Sequence, residues 1–128
     1  MNKISDNITY AEAIHSNTAK RRSIDNTPSS TQVEKMQLTA SKIFEPLREW
    51  VGGPIKVSSF FRSAALNEAI GGSSNSQHCK GQAMDIDDKY GHATNAEMFE
   101  FIRDNFVDFN VIVPKESEII KVLSYTIN

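Results

Sequence analysis

Ten residues, Ser76 to Asp85, constrain this chain more than any other stretch: Ser-Gln-His-Cys-Lys-Gly-Gln-Ala-Met-Asp. His78 and Asp85 stand seven positions apart, with Gly81 between them. Imidazole nitrogen and carboxylate oxygen are both zinc ligands by type, and a catalytic zinc usually takes three protein ligands plus water. From Ala83 to Asp87 the pattern reads as a short strand, with Ala83, Asp85 and Asp87 on one face and Met84 and Ile86 on the other. Gly81 supplies a bend just before it, so that His78 folds back beside Asp85 and both reach one point. Without further context, a solvated histidine and a solvated aspartate are the simpler reading of this pair.

At 128 residues, 39% hydrophobic and 23% charged, the chain is one domain of soluble type, large enough to bury a core. A net charge of -2 offers no electrostatic attraction to nucleic acid or to an anionic membrane surface. No apolar run approaches the ~20 residues of a membrane span, and Met1 to Asp6 lacks the apolar segment of a secretory signal. The lone cysteine, Cys79, excludes an internal disulfide and suits a reducing compartment. A monomer of the producing cell's cytoplasm, with neither nucleic acid nor membrane as partner, is the expectation.

Thr9 with Glu12 makes a capping box that predicts a short helix from Tyr10 to about Ser16. Ile24 to Pro28 reads as a turn-rich link. A second box, Thr31 with Glu34, precedes the stripe Val33, Met36, Ala40, Ile43, Phe44, Leu47 and Trp50, whose three- and four-residue steps predict an amphipathic helix. Pro46 should bend it, Gly52-Gly53-Pro54 should end it, and Met36, Phe44 and Trp50 are read as core. Ile55 to Phe61 alternates as a strand, delivering Arg62 at its end; Ser63 caps a helix over 64–70, closed by Gly71. A polar loop, 72–77, leads to His78. Thr94 with Glu97 makes a third capping box, opening a helix with Met98, Phe101 and Ile102 inward, and Phe109 to Val113 is a further strand. This order predicts an α+β domain around a small, mostly antiparallel sheet with flanking helices.

Upstream of His78 lie Ser58-Ser59-Phe60-Phe61-Arg62-Ser63, Ala65-Leu66-Asn67 and Gly71-Gly72-Ser73, and the stretch itself reads Ser76-x-His78-x-x-Gly81-x-Ala83-x-Asp85. In that order these motifs resemble the zinc-dependent peptidoglycan peptidases of the D-alanyl-D-alanine carboxypeptidase and L-alanyl-D-glutamate endopeptidase type, in their small phage and bacterial form. The resemblance takes in Thr9 to Ala13 and Ile24 to Pro28 and covers roughly residues 8 to 110. It implies a Hedgehog/DD-peptidase-like fold, zinc as cofactor and a peptidoglycan stem peptide as substrate. His78 and Asp85 then match the first two zinc ligands. Arg62 matches the arginine that binds substrate and stabilises the oxyanion, although a surface ion pair explains it as well. Ser76 matches a serine that hydrogen-bonds substrate, against simple loop capping, and Gln77 is a second candidate for that wall.

The tail departs from this pattern. The family closes with a Trp-Ile/Val-His-x-Ser strand whose histidine is the third zinc ligand, with a catalytic acid near it. Here Val111 to Tyr125 contains no histidine, and none follows His92. Aligning Ser124-Tyr125 with the family's ending puts Val122 at the histidine's place, so the part from about 111 to 128 is atypical or truncated. Glu116 and Glu118 are acids in the right region, and solvated roles suit both. Cys79 neighbours His78 and should point away as a packed thiol; His92 stands in a turn, and His15 is read as surface. Two functions compete: a zinc peptidase acting as an endolysin or tail-associated lysin would, set free by lysis or carried on a particle, and a non-catalytic relative that keeps the fold and a weakened grip on zinc or wall peptide. A structural virion protein has no feature of its own in support. With two of three ligands found, the chain as written is expected to bind zinc weakly and to turn over little.

Overall fold

The computed structural model describes residues 2–106, 110–112 and 120–123. A hairpin that no clear alternation announced opens the fold, β1 (Lys3–Ser5) pairing antiparallel with β2 (Ile8–Thr9). Thr9 then caps α1 (Tyr10–Ile14) through the reciprocal bonds with Glu12 that the sequence predicts. A six-residue helix, α2 (Asn17–Arg22), follows behind the cap of Ser16. Its one buried residue is Ala19, too little for an apolar period to show in sequence.

The next helix, α3 (Ser30–Thr39), starts behind Ser29 rather than Thr31. The Ser-Ser-Thr run offers three candidate caps. Ser29 wins because Gln32, three residues on, returns the bond to its backbone N–H. The disturbance expected from Pro46 takes the form of a π turn, Ala40–Phe44, directly before α4 (Glu45–Val51). Proline has no N–H to donate and its ring crowds the carbonyl four residues back; a wider turn removes both conflicts. Met36 and Phe44 are buried as expected, but Trp50 is not core. It is 47% exposed and stacks on Phe101 with ring centroids 4.5 Å apart. The stripe has turned off the core by the last turn of α4, where α6 (Asn95–Asn105) lies across it.

The main sheet has the order β3 (Lys56–Ser59), β4 (Ala83–Asp87), β6 (Ile120–Leu123), β5 (Asn110–Ile112), all antiparallel. The expected strand from Ile55 to Phe61 is cut short: its register shifts between Val57 and Ser59, and Phe60 and Phe61 are both buried. A bulge adds one residue and breaks the alternation, so Ser59 stands across from Asp85. β4 keeps its expected bounds. β6, unforeseen, enters between β4 and β5, while the ends of the predicted Phe109–Val113 strand, with Glu116 and Glu118, lie outside the described residues.

Met84 and Ile86 of β4 pack into one core with Met36, Ile43, Phe44 and Leu47 from the long helical segment and Met98 and Ile102 from α6. The chain is therefore α+β, with two antiparallel sheets and flanking helices. Among the described residues no helix is long and apolar enough to cross a membrane. The core covers one face of β4 and leaves Asp85 on the other, where the turn after α5 (Ala64–Ala69) arrives.

Candidate metal site

That turn is a single 3-10 stretch, Gln77–Lys80. Ser76 caps it, its hydroxyl oxygen accepting from the His78 N–H at 3.2 Å. Gly81 ends it at φ +74°, and a Cβ there would lie 2.7 Å from the Gln32 carbonyl oxygen and 2.7 Å from Met36 Cγ. Glycine is thus required twice, for the left-handed backbone and for the direct seat of the turn on α3.

The structure brings His78, Asp85 and Arg62 together. His78 is 1% exposed, and its Nδ1 lies 2.7 Å from the Phe60 carbonyl oxygen. A carbonyl only accepts, so Nδ1 carries the proton and the lone pair of the neutral ring sits on Nε2. That atom is buried, makes no hydrogen bond among the described residues, and lies 3.3 Å from Asp85 Oδ1. On the other side of the carboxylate, Arg62 Nη2 is 3.4 Å from Asp85 Oδ2, while Arg62 Nε donates to Ser59 Oγ at 3.1 Å. The Arg62 backbone N–H donates to the His78 carbonyl at 3.3 Å, so the two segments hold each other in register.

Two acceptors, an imidazole lone pair and a carboxylate oxygen, face one another at 3.3 Å. They repel unless a proton or a cation lies between them. Zinc bonds of ~2.0–2.2 Å in a tetrahedron separate neighbouring ligand atoms by about 3.3–3.6 Å. The pair therefore fits two ligand positions of one zinc ion, and the Nδ1–carbonyl bond is the outer support that zinc-bound histidines commonly have. A third donor is not present among the described residues: no three His, Cys, Asp or Glu side chains gather there.

Ser76 is committed through its oxygen to the turn, which leaves its hydroxyl proton to donate elsewhere. Gln77 flanks the same turn, and its Oε1 is buried without a hydrogen-bond partner among the described residues. Cys79 is half-buried; burial pushes its thiol pKa up, against the pull of the Arg62 charge. His92 packs on Gly53, and with His15 it lines a cleft of about 820 Å³ beside Pro54, Lys56 and Tyr90. That cleft shares no residue with the His78–Asp85 pair. Sequence reasoning gave no role to Asn26, whose buried amide bonds both sides of Arg62; it lies in the Ile24–Pro28 stretch, read as a turn-rich link within the resemblance.

Across the sheet, β6 pairs Lys121 with Asp85 and Val122 with Met84. No curated protein matches the chain. A family model described as Peptidase M15 matches residues 6–122, from the turn between β1 and β2 into β6 and including every residue of the site above. By that match the chain belongs to the Peptidase M15 family.

Proposed function

We propose that the chain is a zinc-dependent hydrolase of peptidoglycan stem peptides, with His78 and Asp85 as two metal ligands and Arg62 as the receiver of a substrate oxygen. M15 peptidases are generally zinc-dependent. The observation that supports the reading most directly is the fixed tautomer of His78, whose buried Nε2 lone pair is aimed at Asp85. Bound there, zinc would polarise the scissile carbonyl and make a water molecule nucleophilic near neutral pH. Arg62 is 15% exposed at its side chain and uses Nε and one Nη toward Ser59 and Asp85. Its remaining N–H groups suit a carboxylate or a developing oxyanion. The free carboxylate of a terminal D-alanyl-D-alanine, or the D-glutamate carboxylate beside an L-alanyl-D-glutamate bond, offers that partner. Ser76 and Gln77 would line the peptide's path. A monomer released by lysis or carried on a particle is the setting in which such an enzyme would meet cell wall.

A second reading, a non-catalytic relative that grips zinc or wall peptide, is favoured by the lack of a third donor among the described residues. Purified cell walls decide between them. Chelator-sensitive release of new amino termini or of free D-alanine supports the hydrolase and identifies the bond. Zinc uptake at the pair or retention on cell walls without release selects the second reading, and absence of both zinc binding and wall binding by the full chain would sink both.

A further inference from the structure

We propose that Asn26 is a positioning residue for this site, locking the segment that carries Arg62 and the Phe60 carbonyl; the proposal rests on the roles given above to Arg62 and His78. Asn26 is 8% exposed. Its Nδ2 donates to the Ile14 carbonyl at 2.8 Å and to the Phe61 carbonyl at 3.3 Å, and its Oδ1 accepts from the Ser63 N–H at 2.6 Å. Both amide protons and the amide oxygen are therefore engaged, with one bond on each side of Arg62, at Phe61 and Ser63, and the third to Ile14. The amide's orientation follows from its partners, since two carbonyls require the NH2 end and an N–H requires the oxygen.

Asparagine alone offers two donors and one acceptor at this reach. Aspartate would set a carboxylate against two carbonyls, and glutamine is one methylene longer. The bonds span more than thirty-five positions of sequence at their longest, from Asn26 to Ser63, so they order a junction that chain connectivity does not. That junction is the frame of the site. Phe60 supplies the oxygen that fixes the His78 tautomer, Arg62 N–H meets the His78 carbonyl, and Phe61 N–H meets the Ala13 carbonyl at 3.0 Å. Without Asn26 the Phe61 carbonyl and the Ser63 N–H lose these partners, and the turn that aims Arg62 and the Phe60 carbonyl is free to rotate.

The test uses the full-length chain, labelled with nitrogen-15 and free of metal, with Ile102→Val as a control whose core is loosened away from the site. In the wild type, long-range proton–nitrogen spectra should show His78 as the single Nδ1–H tautomer, and the Ser63 amide should exchange far more slowly than that of exposed Ser73. Asn26→Ala is expected to speed Ser63 exchange at least tenfold, to mix the His78 tautomers and to weaken zinc binding about tenfold, the low end for supports of metal ligands. Ile102→Val should change none of the three. Unchanged tautomer and zinc affinity in Asn26→Ala, or equal losses in Ile102→Val, would overturn the proposal. Should Asn26→Ala not fold, the wild-type exchange rate still decides: a Ser63 amide as fast as Ser73 rules the clamp out. A wild type that takes up no zinc sinks the metal reading instead, while tautomer and exchange still judge Asn26.

Discussion

The two nitrogens of His78 have opposite duties, and one carbonyl assigns them. Nδ1 gives its proton to Phe60, which leaves Nε2 as a buried acceptor facing Asp85. Removing the ring loses a buried hydrogen bond and opens a cavity under the turn. His78→Ala should cost about 2–4 kcal/mol in urea unfolding, and a loss under about 0.5 kcal/mol would mean that the ring is not packed as described. Gly81 is a sharper case. Its left-handed backbone and its contact with the Gln32 carbonyl leave no room for a methyl group, so Gly81→Ala should cost about 2 kcal/mol or more. A neutral result in the same melts would show that the turn does not rest on α3. The sequence made the bend at Gly81 legible, because a glycine between His78 and Asp85 has that one obvious use. It could not show the seat on α3, since the contact joins residues 32 and 81. Cys79 was likewise legible as a thiol apart from the pair, and the upward shift of its pKa by burial agrees with a packed group.

Among the elements, the first hairpin buries Ile4 and Ile8 in the core and is tied to α4 by one carboxylate. Glu45, at the start of α4, accepts from the Ser5 hydroxyl and from the backbone and side chain of Asn7. Burial works against its charge, but these bonds and the nearby Arg48 outweigh it and lower its pKa below the ordinary 4.5. The depressed value fixes the sign. The stabilisation is fully present above the unfolded pKa near 4.5 and is lost as pH falls through the lower folded value. Wild type should therefore exceed Glu45→Gln in urea midpoint at pH 6, with the gap closing below pH ~4; a gap that does not change with pH would remove the charge from the explanation. Helices with strong caps were legible here, whereas β1, β2 and α2 were too short for periodicity to register. Nor could local signals show the sheet's register, in which position 121 stands across from Asp85 and position 122 across from Met84.

For the whole molecule, the architecture was readable as far as local signals reached: an α+β domain and a strand at Ala83–Asp87, whereas the strand expected to deliver Arg62 ends early, at Ser59. The insertion of β6 between β4 and β5 was not readable, because long-range pairing leaves no mark at either strand. The same limit hid Asn26, whose partners lie at residues 14, 61 and 63. The His78–Asp85 pair was legible through spacing and motif together, and the metal role proposed for it ties zinc binding to the stability of the entire fold. An ion that binds only the folded chain stabilises it by about 2.7 kcal/mol when its free concentration is a hundredfold above Kd. For a domain of this size that corresponds to a rise in Tm on the order of 10 °C. The unfolded chain scatters His78 and Asp85 and holds zinc poorly, so nearly all of that gain should appear. It should vanish in His78→Ala and persist in Cys79→Ala and in His92→Ala, whose side chains the structure places apart from the pair. Thermal melts with and without zinc, each reversed by chelator, make the comparison. A zinc-dependent rise that survives His78→Ala but is lost in His92→Ala would move the metal to the cleft beside Gly53 and leave the His78–Asp85 pair as a simple ion pair.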